Sequence, residues 1–374
     1  MMSLVNQEYI TKDAADYFSR LKDDIDQAKI SIEFESYILV ADNTGKQILD
    51  ALCNASQRGV KVRVIIDGFG SSPWISYAIK KLKRLGGQVK IYHPMPWRFW
   101  QWGLAINQEY FFRKFIYLFG VINRRNHRKI CIIDKRIHWL GSFNLTDVHL
   151  PGNMGGQNWR DSAVRLETDN DEAINAFNKT WFNKHFTRTK IASDYPGIFR
   201  INDSRKKRRR LYRDLLRHIT SARQKIWITT PYFVPEPKLL RQLKKAAARG
   251  TDVRILLPAV SDVFFMPWAS SLLYDELLKS GVKIYEYQHG ILHAKTLIID
   301  DWTTLGSSNM NTRSIMHDLE IDYVLQKNDS KQQLEQHFLD DLKQSNQISG
   351  SDIHKRNPII KLLGRLTLYL RYWL

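Results

Sequence analysis

The sequence predicts an α/β fold built twice over in one chain. Three observations carry that prediction. One polar signature occurs in two copies 166 residues apart, and strand and amphipathic helix alternate in the same order around each copy. A length of 374 residues with 43% hydrophobic side chains is ample for two packed units.

Taken in order, Ala28-Lys29-Ile30-Ser31-Ile32 ends a helical stretch and begins a strand, as Gln224-Lys225-Ile226-Trp227-Ile228 does in the second half. Each strand reaches an aromatic stop, Tyr37 or Tyr232. An amphipathic helix follows in both halves and finishes at Arg58-Gly59 or Arg249-Gly250, glycine being favoured just past a helix end. Strands then fall at 60–66 and 251–257, each followed by another helix. Gly86-Gly87-Gln88-Val89-Lys90-Ile91-Tyr92 is echoed by Gly281-Val282-Lys283-Ile284-Tyr285. These echoes divide the chain into a first half, 1–200, a second half, 201–355, and a C-terminal amphipathic basic segment, 356–374.

The signature reads His127-x-Lys129-x4-Asp134 followed by Gly141-Ser142-x-Asn144, and His293-x-Lys295-x4-Asp300 followed by Gly306-Ser307-Ser308-Asn309. Ile130-Cys131-Ile132-Ile133 and Thr296-Leu297-Ile298-Ile299 are apolar and rich in β-branched residues, so each His-x-Lys is expected on a buried strand with both side chains on one face. Gly141 and Gly306 are expected to let backbone approach a ligand, while Ser142, Ser307, Asn144 and Asn309 hydrogen-bond it. Bringing the two copies together sets two imidazoles on opposite sides of one phosphorus, as an in-line displacement needs. Histidine serves as neutral nucleophile or protonated acid near neutral pH. Lys129 and Lys295, with the asparagines, then hold the non-bridging oxygens. Six residues separate Asp134 from Gly141 but five separate Asp300 from Gly306, so a tightened turn is expected in the second copy.

The net charge of +19 calls for an anionic partner, nucleic acid or an anionic membrane surface. Cys53 and Cys131 are the only cysteines, and their apolar contexts indicate neither a disulfide framework nor a thiolate metal site, which fits a reducing compartment. His289 and His293 have helical spacing but no accompanying carboxylate cluster, so no metal and no cofactor are expected. Residues 1–12 lack the pattern of a signal peptide, and no apolar run is long enough to span a bilayer, so any membrane contact is expected from the side. The first half carries about 27 extra residues, an insert at about 93–123 in which Trp97, Trp100, Trp102, Phe111 and Phe112 are interleaved with Arg98, Arg113 and Lys114. It reads either as a core-packing helix pair or as a lipid-facing flap. The segment 356–374 repeats that chemistry, and would lie in the membrane interface or cap the core. The run Arg205 to Arg210 is solvated, or drawn to membrane or nucleic acid.

The duplicated His-x-Lys-x4-Asp with its following Gly-Ser and Asn resembles the phospholipase D superfamily over nearly the whole chain. Within that superfamily, Leu292-His293-Ala294-Lys295, Gly306-Ser307-Ser308-Asn309 and Gln157-Asn158-Trp159-Arg160-Asp161-Ser162 look like the bacterial cardiolipin synthases, most like the B type. The resemblance implies two α/β/α sandwich halves related by pseudo-two-fold symmetry, with the active site at their junction. It also implies a phosphohistidine intermediate: His127 attacks the phosphatidyl phosphorus, and His293 protonates the departing glycerol oxygen and then deprotonates the acceptor hydroxyl. Asp161 and Glu320 would orient the imidazoles from behind. Asp134 and Asp300 belong to the catalytic signature but look structural in this family. The leading function is joining two phosphatidylglycerol molecules into cardiolipin, as a peripheral protein on the cytoplasmic face of a bacterial cell membrane. Its partners would be anionic phospholipid and the membrane surface, with nucleic acid less favoured. The acceptor stays open among phosphatidylglycerol, phosphatidylethanolamine, another alcohol and water. A phosphodiesterase acting on nucleic acid or phospholipid is the rival, and a catalytically relict membrane-binding protein is the alternative of another class, against which the intact His, Lys and Asn of both copies stand.

Overall fold

The computed structural model describes residues 5–70, 75–95, 97–106, 124–182 and 197–354. Most of the aromatic-basic insert and all of 356–374 lie outside the described residues.

Two large sheets repeat one topology. The first contains β1 (Val5–Thr11), β2 (Ser31–Ser36), β3 (Lys61–Asp67), β4 (Gln88–Tyr92), β5 (Ile130–Ile133), β6 (Ile137–Gly141) and β7 (Ala163–Thr168), ordered β1-β7-β6-β5-β2-β3-β4. The second contains β8 (Phe199–Ile201), β9 (Lys225–Thr229), β11 (Asp252–Pro258), β12 (Lys283–Tyr287), β13 (Thr296–Ile299), β14 (Trp302–Gly306), β16 (Ile321–Val324) and β17 (Ser345–Gln347), ordered β17-β12-β11-β9-β13-β14-β16-β8. The short strands β10 (Phe233–Val234) and β15 (Met310–Asn311) pair separately. Read from β6 or β14 inward, the two sheets match strand for strand, and in each a parallel trio meets an antiparallel hairpin at the centre. The chain is therefore two α/β/α halves related by pseudo-two-fold symmetry.

Alternation within the strands explains the layers. Cys131 and Ile133 pack outward under helices Ala14–Gln27, Asn43–Gln57 and Ile75–Arg84, whereas Ile130 and Ile132 pack inward. The inward residues of both sheets, with helices Glu172–Trp181 and Asn328–Lys343, share one core that includes Leu140, Val164, Trp227, Leu256, Leu305 and Tyr323. Burial on both faces favours apolar residues at successive positions, which is why β5 reads as a continuous hydrophobic run, whereas the equally buried β2 keeps Glu33 and Glu35, which meet Arg63 and Arg128. Helix ends also repeat: Gly59 and Gly250 sit at φ 90° and 92°, and the preceding Arg58 and Arg249 each donate to carbonyls at the end of the neighbouring helix, Ile25 and Thr220 respectively.

The unequal motif spacing is absorbed in the hairpins. Ile133 pairs with Ile137 across a three-residue turn and Ile299 with Trp302 across a two-residue turn, so the second connection is tighter. Asp134 and Lys135 adopt positive φ in the first, and Asp300 in the second. The strand registers that lead to the motif lysines are unaffected.

Candidate active site

The polar signatures meet where the two halves join. His127 and Lys129 precede β5, and His293 and Lys295 precede β13, so the expectation that they sit on the strands is corrected by a few residues. The cause is the other half. Instead of extending the ladder, the His127 N–H donates to Leu319 O at 2.9 Å and the His293 N–H to Arg160 O at 2.8 Å. Parallel bridges Asn126 to Leu319 and Leu292 to Arg160 hold both lead-ins across the junction.

These bridges deliver a carboxylate to each imidazole. His127 Nδ1 lies 3.1 Å from both oxygens of Glu320 and 3.1 Å from Ser307 O, while His293 Nδ1 lies 2.8 Å from Asp161 Oδ1. A proton held on Nδ1 leaves Nε2 as the reactive atom of each ring. The two acids differ in state. Burial pushes Glu320 up to about 7, against the pull of Lys129. Burial also opposes ionisation of Asp161, but the nearby His293 and His149 outweigh it and hold that carboxyl well below the usual range. Burial, then Lys129, Lys295 and His293, keep His127 well below the ordinary histidine value, and burial with Lys295 lowers His293. Both imidazoles are thus neutral at pH 7 when no anion is bound.

The lysines flank them. Lys129 Nζ donates to His127 O at 2.9 Å, and Lys295 Nζ donates to His293 O at 2.5 Å and to His293 Nε2 at 2.9 Å. Burial brings Lys129 to about 7, helped by Lys295, and Lys295 to about 8. Two buried ammonium groups facing one another are costly unless an anion joins them. The Asn144 and Asn309 Oδ1 atoms are buried and accept no hydrogen bond among the described residues, leaving an acceptor unspent on each, and Asn309 lines the same cavity as Lys295.

Other signature residues face elsewhere. The Ser142 hydroxyl donates to Ser162 O and accepts from Ser162 N, and the Ser307 hydroxyl donates to Glu320 at 2.5 Å, so these serines brace the site rather than offering themselves to phosphate. Gly141 and Gly306 are required by protein packing, since a Cβ there would lie 2.3 Å from Ser162 O or from Asp322 Oδ1; the approach is of the neighbouring strand, not of a ligand. Asp134 accepts backbone N–H groups of Lys29, Ile30 and Ser31, and Asp300 those of Arg223, Gln224 and Lys225. Both aspartates hold the start of a central strand and stand apart from the imidazoles, which corrects their grouping with the catalytic residues.

Three participants were not assigned to the site from sequence, one of them Tyr37, which was taken only as the stop of a strand. The Tyr37 ring meets His127 edge-on at 4.9 Å, with Lys129 Nζ 5.3 Å from its centre. His149 and Ser314 contact the two carboxylates; each lies five residues after its half's asparagine, a register that an alignment of the repeats would have exposed. Among the described residues no cluster of three His, Cys, Asp or Glu side chains is arranged to hold a metal ion, and no helix is long and apolar enough to cross a membrane.

A family model described as the cardiolipin synthase, PLD-like domain matches residues 21–189 and 215–342. The chain is 31% identical over 370 residues to a cardiolipin synthase of Clostridium perfringens, covering 94% of this chain and 73% of that one. The major cardiolipin synthase ClsA of Bacillus subtilis is also 31% identical, with 96% and 73% covered. Among solved structures, a phosphatidylserine synthase of Haemophilus influenzae superposes with a TM-score of 0.72 at 14% identity, covering 100% of this chain and 97% of that one. A match across both halves, each with its own His-x-Lys signature, leaves one assignment: the chain belongs to the cardiolipin synthase family of phospholipase D-like phosphatidyltransferases.

Proposed function

We propose that the protein joins two phosphatidylglycerol molecules into cardiolipin through a phosphohistidine intermediate, working as a peripheral protein on the cytoplasmic face of a bacterial membrane. In the first step the His127 Nε2 lone pair forms a P–N bond as the P–O bond to glycerol breaks, and the leaving oxygen takes a proton from His293 Nε2. In the second, the hydroxyl of another phosphatidylglycerol gives its proton to His293, its oxygen bonds phosphorus, and the P–N bond breaks. One observation carries this reading: each imidazole is held at Nδ1 by a carboxylate from the opposite half, which leaves Nε2 of each ring to act on a phosphodiester, His293 Nε2 exchanging its contact with Lys295 for the substrate. The difference between the acids supports the division of labour. Ionised Asp161 favours an imidazolium at His293, the proton donor, whereas His127, held far below the ordinary value, is free to attack.

Substrate charge completes the site. A phosphodiester between Lys129, Lys295, Asn144 and Asn309 would raise the lysines toward full protonation and make a proton on His293 favourable. Exposed Phe69, Trp97, Val260 and Phe264 follow β3, β4 and β11, at the strand ends nearest the histidines, and suit the headgroup region of a bilayer.

Purified protein incubated with labelled phosphatidylglycerol, alone and with candidate alcohols, is expected to yield cardiolipin and glycerol by mass spectrometry. Phosphatidic acid alone would mean that water is the acceptor. Cleavage of nucleic acid with no lipid product would favour the rival phosphodiesterase.

A further inference from the structure

The two carboxylates that orient the histidines are themselves held, by different residues. In the second half the Asn309 N–H donates to Ser314 Oγ at 2.9 Å, and Ser314 Oγ donates to Glu320 Oε1. In the first half the Asn144 N–H donates to His149 Nε2 at 3.1 Å, and His149 Nδ1 lies 2.7 Å from Asp161 Oδ2. An Nε2 that accepts from a backbone N–H carries no proton, so in the neutral ring the proton is on Nδ1, facing Asp161. Asp161 Oδ1 meets His293 Nδ1 at 2.8 Å, which makes a chain Asn144, His149, Asp161, His293 running from one asparagine to the imidazole of the other half. His149 is buried and boxed in by rings, with Phe143 at 5.3 Å and Trp159 at 5.5 Å, and Trp159 also touches His293 at 5.6 Å.

We propose that His149 is a positioning residue for the proton-transferring imidazole: it fixes Asp161, and through Asp161 the tautomer and orientation of His293. This rests on the reading of His293 as the proton donor to glycerol. Serine at the equivalent place in the second half gives Glu320 one hydroxyl, whereas histidine sets a ring nitrogen at ion-pair distance from Asp161, outside hydrogen-bond alignment, so that one aspartate lies between two imidazoles. His293 and His149 together hold the Asp161 carboxylate ionised, where His293 must carry positive charge. At this shared register the two halves hold their orienting carboxylates by different chemistry.

The test compares a leaving group that needs a proton with one that does not. His149→Phe keeps the ring volume and removes both polar contacts; His149→Asn keeps a side-chain N–H near the Nδ1 position. Glycerol release from phosphatidylglycerol by His149→Phe is expected to fall about 10- to 100-fold, the usual loss when an orienting partner is removed, with kcat rather than KM affected. The first-turnover burst of nitrophenolate from phosphatidyl-p-nitrophenol, which precedes any proton transfer by His293, is expected to stay near the wild-type rate, while first-turnover glycerol release slows and His149→Asn recovers most of that loss. Equal slowing of the two first-turnover releases, or no slowing of either, would overturn the proposal. If His149→Phe fails to fold, as judged by its melting curve, His149→Ser, which copies the second half, takes its place under the same criteria. Wild-type protein that releases nitrophenolate but no glycerol would refute the phosphatidylglycerol reading itself, an outcome distinct from a wild type active on both substrates whose His149 variants slow equally on both.

Discussion

Glu320 stands 193 positions after His127, in the opposite half of the chain, yet its carboxylate oxygens lie 3.1 Å from the Nδ1 atom of that imidazole. Asp161 and His293 repeat the relationship with the halves exchanged, at 2.8 Å. Each half therefore contributes a histidine whose orienting acid it does not own, and either half folded alone would leave its one ring unguided.

The crossed arrangement makes the two histidines act as one unit. His127→Ala and His293→Ala are each expected to lower turnover about 10³-fold or more, and the double variant to be little worse than either single one, because groups serving one transition state are not additive. Product formation from phosphatidylglycerol measures this. Activity within tenfold of wild type in either single variant would rule out the paired mechanism.

Much of this site was legible because duplication survives in sequence. The two His-x-Lys signatures, the glycines ending the second helix of each half and the apolar central strands could all be set in register, and the α/β cadence followed. What escaped depended on docking between halves. Gly141 reads like a ligand-facing glycine until β7 is seen pressed against it, and Ser307 reads like a phosphate donor until Glu320 takes its hydroxyl. His149 and Ser314 occupy the same register, but their different chemistry hid the match.

Stability should fall on the acid side of neutrality for a reason traceable to His127. Burial with Lys129 and Lys295 holds its folded-state pKa well below 6.5, so as pH drops the unfolded chain takes up the proton first and gains stability relative to the folded one. The decline begins near pH 6.5 and continues toward the folded-state value, at up to about 1.4 kcal/mol per pH unit for this one group. Glu320, raised to about 7, acts in the opposite sense between its ordinary value and 7, so the effect is read as a difference between proteins. Urea unfolding of wild type and His127→Asn at pH 7, 6 and 5.5 should show the wild type losing more; parallel curves would mean that His127 is not buried neutral.

Asp134 and Asp300 are expected to matter for stability and not for chemistry. Each carboxylate receives three backbone N–H groups at the entry to β2 or β9, from a residue at φ 51° or 48°. Alanine would leave those donors to water and strain the turn, at a cost of about 1 to 3 kcal/mol, whereas asparagine keeps an acceptor and tolerates the left-handed backbone. Asp300→Ala should therefore lower the urea midpoint, Asp300→Asn should lower it less, and both should keep near-normal kcat per folded molecule. Loss of kcat without loss of stability would return Asp300 to the catalytic group.

The exposed apolar residues near the site give the membrane reading its sharpest check. Phe69 is 56% exposed, and Val260 and Phe264 are 67% and 69% exposed, on loops that follow the equivalent strands β3 and β11. Asp67 at the end of β3 accepts the Asn126 N–H beside His127, and Asp262 in the other loop lies near enough to His293 to act on its charge, so both loops rim the same site. If those side chains enter the headgroup region, Phe69→Ser combined with Phe264→Ser should weaken sedimentation with phosphatidylglycerol vesicles at moderate salt, where surface charge is screened over about 10 Å and apolar contact weighs more. Charge should still support binding at low salt, given the net +19. Turnover of a detergent-dispersed substrate should be unchanged, since neither phenylalanine touches the imidazoles, their carboxylates or the lysines. Unaltered vesicle binding across the salt series would place the docking face elsewhere on the molecule.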